Sequence, residues 1–92
     1  MKKVVIEVLE LKSCPECYKL IKLLQEVLSE IEDMKDMIEV VFLDLFDHNS
    51  RINELGMYQC PALAINGDIR FMGEIPHKEE LKSLIVSEIL SH

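Results

Sequence analysis

A β-branched, apolar run over residues 4–11 gives way within a few positions to a helix-period pattern, and the junction carries Cys14-Pro15-Glu16-Cys17. A strand that feeds straight into an amphipathic helix has few folds open to it. The helix must lay its apolar stripe on the sheet, and the chain then returns as a parallel strand through a right-handed crossover. With Glu7 and Glu10 as its only carboxylates, the run 4–11 reads as a largely buried strand. Beyond Pro15 the apolar positions are Cys17, Leu20, Ile21, Leu24, Val27, Leu28 and Ile31. Steps of three and four trace one face of a helix about four turns long. Pro15 suits the first helical position, where a missing N–H costs nothing, which sets Cys14 at or near the N-cap.

The rest of the chain keeps alternating. Residues 33–36 are polar enough for a connection, and 38–45 form a second apolar run that reads as another buried strand. Asp47-His48-Asn49-Ser50 supplies helix-start chemistry, and Ile52 and Leu55 give a short helix ending at Gly56. Residues 61–65 and 69–72 flank Asn66-Gly67-Asp68 as a β-hairpin, for which Asn-Gly is the strongest short signal. Pro76-His77-Lys78-Glu79-Glu80 opens a last helix with Leu81, Leu84, Ile85 and Ile89 as its core face. The order βαβαββα implies an α/β fold, one four-stranded mixed sheet with helices on both faces, and residues 1–92 read as a single domain. In that arrangement Cys14 falls at the exposed rim beyond the first strand. Cys17, one turn along the apolar face, falls deeper.

Seventeen acidic against ten basic side chains give a formal charge of −7. Phosphate binding needs a clustered basic footprint, so nucleic acid is not expected as a partner; neutral or basic protein surfaces are. No stretch approaches the roughly 20 apolar residues that span a bilayer, so no membrane association is expected. Met1-Lys2-Lys3 could begin a secretory leader, but Glu7 and Glu10 interrupt the apolar run and no small-residue cleavage site follows. Three cysteines, two of them close together in sequence, do not resemble a secreted disulfide framework. We expect a cytoplasmic monomer with no cofactor.

A thiol at a helix N-terminus faces unpaired N–H groups and the positive end of the helix dipole, both of which favour its thiolate. The thiolate is the form that attacks disulfides. Cys14 is therefore the expected nucleophile and Cys17 the expected resolving thiol of a thiol–disulfide oxidoreductase. Lys12 would add to the effect at Cys14, while Glu16 would oppose it. The same spacing also serves a structural zinc half-site or a pair of buried thiols. Zinc wants four ligands, and no second C-x-x-C or histidine pair follows.

Cys14-Pro15-Glu16-Cys17, the run Cys60-Pro61-Ala62-Leu63-Ala64-Ile65-Asn66-Gly67, and Phe71-Met72-Gly73 before Lys78-Glu79-Glu80-Leu81 together resemble the thioredoxin-fold superfamily. The nearest likeness is to its small, glutaredoxin-sized members from archaea and anaerobic bacteria, the redox-active disulfide proteins. The resemblance covers nearly the whole chain. It implies reduction of protein disulfides with electrons from a reductase, and a cis Cys60–Pro61 bond packed beside the dithiol, in a loop whose backbone holds an extended partner segment. A trans bond opening a rigid strand is the alternative. Departures also bear on function. The chain has no tryptophan, unlike the Trp-Cys-Gly-Pro-Cys of thioredoxins, and Val8 stands where thioredoxins bury a carboxylate. Glutaredoxins carry a paired glycine motif for glutathione, and only Gly73 is present here, which argues against a glutathione site.

Among the remaining residues, Cys60 reads as a small apolar filler. Its alternatives are a competing disulfide with Cys14 or Cys17, or a metal or iron–sulfur site built from Cys14, Cys17 and Cys60. Glu7 and Glu10 read as solvated strand residues rather than proton relays. Tyr58 either covers the dithiol, contacts a partner or packs under the loop. His48 reads as a solvent-exposed helix-start residue, and His77 and His92 as surface residues without a role. Met34, Met37, Met57 and Met72 read as flexible fillers.

Overall fold

A computed structural model of the chain describes residues 3–91; Met1, Lys2 and His92, noted above, lie outside the described residues. The elements in order are β1 (Val4–Leu9), α1 (Pro15–Glu30), a 3-10 helix (Glu32–Met37), β2 (Ile38–Leu43), α2 (Asn49–Leu55), β3 (Ala62–Ile65), β4 (Asp68–Met72) and α3 (Lys78–Leu90). They form one mixed sheet in the order β2-β1-β3-β4. β1 runs parallel to β2, from Val4 opposite Ile38 to Leu9 opposite Leu43, and β3 is antiparallel to both β1 and β4.

Strand alternation sorts the interior into two layers. Val4, Ile6 and Val8 of β1 and Leu63 and Ile65 of β3 face α1 and α3, where they meet Leu20, Leu24, Val27, Leu81 and Ile85. Leu9, Ala62 and Ala64 face the other way, toward Ile52 of α2 and Met57 beyond it. Helices therefore cover both faces. Cys14 and Cys17 belong to the second cluster although they lie on α1, because the first turn of that helix sits at the seam between the layers. Burying each large aliphatic side chain contributes about 1.5–3 kcal/mol, so the long face of α1 fixes where its N-terminus must lie.

Two expectations are corrected. Residues 38–45 were expected to form a buried strand, but β2 ends at Leu43 and is an edge strand of the sheet, with only Leu43 buried. An edge strand covered by a helix on part of one face needs few buried positions, and its apolar run misleads. Residues 33–36 do connect α1 to β2, wound into the 3-10 helix Glu32–Met37. Glu7 is not solvated: it is 6% exposed, and Arg51 of α2 grips both its carboxylate oxygens, Nε to Oε2 at 2.7 Å and Nη2 to Oε1 at 2.8 Å. Arg51 also pairs with Glu54. These two carboxylates raise the Arg51 pKa further, Glu7 contributing most.

The far ends are tied down as well. Asn66 (φ 52°) and Gly67 (φ 86°) form the two-residue hairpin turn, and the Asn66 Oδ1 accepts the Val5 N–H at 3.0 Å. Glu30, the last residue of α1, bonds Lys78 at 2.6 Å and Lys82 at 3.1 Å, joining α1 to the start of α3. α1 is thus anchored at its C-terminal end, opposite the cysteines.

Candidate dithiol site

Cys14 is the N-cap of α1, in extended conformation (φ −117°, ψ 98°), with Pro15 opening the helix and Glu16 in its first turn. The Cys14 N–H donates to the Leu11 carbonyl at 3.1 Å, and the Cys17 N–H donates to the Cys14 carbonyl at 3.1 Å. Together they fold residues 11–17 into one tight turn at the carboxyl end of β1. Glu16 is drawn to Lys19 at 2.9 Å, which offsets the negative charge it sets beside the sulfur. Lys12 and Ser13 are exposed on the same turn.

The loop after α2 brings the third thiol. α2 stops at Gly56, which takes the left-handed conformation (φ 82°), and residues 57–61 then return to the sheet. The Cys60–Pro61 peptide is cis. Pro61 is buried, and its carbonyl accepts the Gly73 N–H at 2.7 Å, pinning the loop to the end of β4. Cys60 lands on Cys14: the two form a disulfide across 46 positions of sequence, with Cα atoms 6.8 Å apart. Cys17 is the free thiol, and the three sulfurs all lie within 4.8 Å of one another.

Two expectations change here. Cys14 was placed at an exposed rim, yet it is only 7% exposed, because Cys60 and the proline loop close over it. Cys60 was read as an apolar filler; it is instead reached by solvent and bonded to Cys14. Cys17 is fully buried. Burial pushes its thiol up, partly opposed by a backbone hydrogen bond from Leu11.

The metal alternative finds little support in the donor set. Two of its three sulfurs are joined to each other and so are not thiolates. Among the described residues, no histidine or carboxylate completes the cysteine group. His48 is occupied elsewhere: as the N-cap of α2 it accepts the Asp44 N–H on Nδ1 at 3.3 Å. The Asp44 carboxyl is held below its usual range, first by the Asp47 N–H at 2.7 Å and then by His48.

The rim around the sulfurs was not legible beforehand. Leu45 (54% exposed) and Phe46 (96%) project from the β2–α2 connection, where Leu45 was expected to continue a buried strand. They line a shallow groove with Glu10, Leu11, Lys12, Ser13 and Tyr18. Tyr58, 79% exposed, does not pack under its loop. The one available signal was Asp44 and Asp47 bracketing the pair Leu45-Phe46, which marks a connection rather than a strand.

A four-stranded mixed sheet with helices on both faces, and a cysteine pair at the first strand–helix junction facing a proline loop, define a protein of the thioredoxin fold. A family model for the thioredoxin domain matches residues 4–86, and the chain belongs to that family. Solved structures agree in fold. A protein disulfide oxidoreductase from Aeropyrum pernix superposes with a TM-score of 0.78 at 22% identity, over 99% of this chain and 39% of that one. This chain therefore spans well under half of that protein. Chloroplastic thioredoxin z gives 0.73 at 17% identity, over 99% of this chain and 81% of that one. A mutant thioredoxin from Halobacterium salinarum gives 0.70 at 18% identity, over 94% of this chain and 74% of that one. A search of curated proteins gives no significant match.

Proposed function

We propose that this protein is a thiol–disulfide oxidoreductase that reduces protein disulfides, with Cys14 as nucleophile and Cys17 as resolving thiol. One observation carries the reading: Cys14 caps the N-terminus of a 16-residue helix, with the Cys17 sulfur within 4.8 Å. The helix terminus stabilises a sulfur anion at Cys14 in the reduced enzyme. That anion attacks a substrate disulfide, forming a mixed disulfide and releasing one substrate thiolate. Cys17, deprotonated, then attacks the Cys14 sulfur, forming Cys14–Cys17 and releasing the second substrate thiolate. Two electrons pass from the enzyme to the substrate, and a dithiol reductase restores them.

Pro15 fixes the helix start and Lys12 adds positive potential near Cys14. The Cys60–Pro61 loop and the exposed side chains of Tyr18, Leu45, Phe46 and Tyr58 give the partner segment an apolar seat beside the sulfurs. Net charge of −7 favours neutral or basic partner surfaces and disfavours nucleic acid. Among the described residues no helix is long and apolar enough to cross a membrane. The reading takes the protein as a cytoplasmic monomer without a glutathione site. Insulin reduction with dithiothreitol as electron donor tests it: wild type should accelerate precipitation, and Cys14→Ser should fall to the uncatalysed rate. Equal rates for the two proteins would refute the assignment.

A further inference from the structure

A disulfide uses two sulfurs, and this site holds three. Cys14 is the common member: it is bonded to Cys60, and Cys17 lies within 4.8 Å of both partners without a bond to either. We propose that Cys60 is a third redox residue, so that Cys14–Cys60 and Cys14–Cys17 are two oxidised forms of one enzyme, interconverted by internal exchange. As a step in turnover this rests on the oxidoreductase reading above.

The exchange balances without outside reagents. The Cys17 thiolate attacks the Cys14 sulfur, the Cys14–Cys17 bond forms, and the Cys14–Cys60 bond breaks. Cys60 leaves as a thiolate and takes up the proton that Cys17 gave up, so no net oxidation occurs. Access gives the two forms different work. In the Cys14–Cys60 form, Cys14 is 7% exposed and Cys17 fully buried, whereas Cys60 reaches solvent. An incoming reductant thiolate therefore meets the Cys60 sulfur first. It forms a mixed disulfide there and expels Cys14 as a thiolate at the helix terminus, where the anion is stabilised. The dithiol reductant's second thiolate then attacks its own bridging sulfur, freeing Cys60 as a thiolate and leaving the reductant as a disulfide. Electrons thus enter through Cys60 and leave through Cys14.

The test uses wild type, Cys17→Ala, Cys60→Ala and the Cys17→Ala/Cys60→Ala double variant, equilibrated in reduced and oxidised dithiothreitol mixtures. Samples are acid-quenched, alkylated, cleaved after Lys, Arg and Glu so that Glu16 separates Cys14 from Cys17, and mapped by mass spectrometry. Wild type should yield both linkages. Cys17→Ala should keep a reversible two-electron couple as Cys14–Cys60, Cys60→Ala should keep one as Cys14–Cys17, and the double variant should lose it. A single linkage in wild type, or a Cys17→Ala protein fully alkylated across mixtures that oxidise Cys60→Ala, overturns the proposal. The wild-type map keeps the test valid even if a variant folds poorly. Insulin reduction run alongside separates the two claims. Both linkages without turnover would sink the oxidoreductase reading alone, whereas Cys14-dependent turnover with one linkage would sink only the exchange.

Discussion

Replacing Arg51 by methionine removes the ion pair that fastens α2 to the sheet, together with the exposed pair to Glu54 within α2. The Glu7 side chain is 8% exposed and the Arg51 side chain 38% exposed, with two hydrogen bonds of 2.7 and 2.8 Å between them. Removing one partner of a fully buried pair costs about 3–5 kcal/mol, because the remaining charge loses its compensation out of water. Here the guanidinium end is open enough for solvent to screen it, so about 2 kcal/mol is expected. For a chain of this size that is a fall of roughly 8–16 °C in Tm. The assay is thermal and urea unfolding followed by circular dichroism, on reduced protein so that disulfide state is constant. The control is Glu7→Leu/Arg51→Met, which replaces the pair by apolar side chains and should lie within about 1 kcal/mol of wild type. The reasoning is refuted if Arg51→Met stays within about 0.5 kcal/mol of wild type, or if the double variant is weaker than either single one. The pair matters to the site because α2 supplies Ile52, and its exit supplies Met57, to the cluster that holds Cys14 and Cys17.

Leu20 is fully buried between α1 and the sheet, and Leu20→Ala should cost about 2–5 kcal/mol in urea unfolding through the cavity it leaves. With the Cys14–Cys60 bond in place the Cys17 pKa is raised by burial, so its contribution is fully present below the ordinary thiol pKa and is lost as pH rises through the folded value. Urea midpoints should therefore fall on the alkaline side, and Cys17→Ala should flatten that fall. The Glu30 carboxyl is lowered, by Lys78 first and then Lys82, so its contribution is present above the usual Glu range and lost as pH falls through the folded value. Glu30→Gln should flatten the acid limb of the stability profile and, because Glu30 in turn raises the Lys78 pKa, also the alkaline limb above the usual Lys range. Gly73 holds φ 80°, and an added Cβ would meet the Gln59 Oε1 at 2.5 Å; Gly73→Ala should cost about 1–3 kcal/mol by calorimetry, mostly from the backbone conformation.

Element order and sheet type were legible because each rests on short-range chemistry. Pro15 set the start of α1, the three-and-four spacing from Cys17 to Ile31 set its face, and Asn66-Gly67 set the hairpin. What failed depended on neighbours that no local pattern encodes. Whether residues 38–45 are central or peripheral is decided by strand order, and β2 lies at an edge. Glu7 looks like a solvated strand residue until a helix 44 positions later delivers Arg51. Within the site, the spacing of Cys14 and Cys17 was plain, but the partner that Cys14 takes in this structure lies 46 residues away. Only the fold of the loop after Gly56 brings it there.

The location of the unpaired thiol also governs how the molecule behaves in a crowd. With Cys14 and Cys60 joined, the odd sulfur is Cys17, which presents no surface at all. Two such molecules colliding have no accessible thiol with which to crosslink, and alkylating reagents find nothing to label. Moving the bond to Cys17 would reverse this, leaving the odd sulfur on the water side and the oxidised protein open to capping by small thiols.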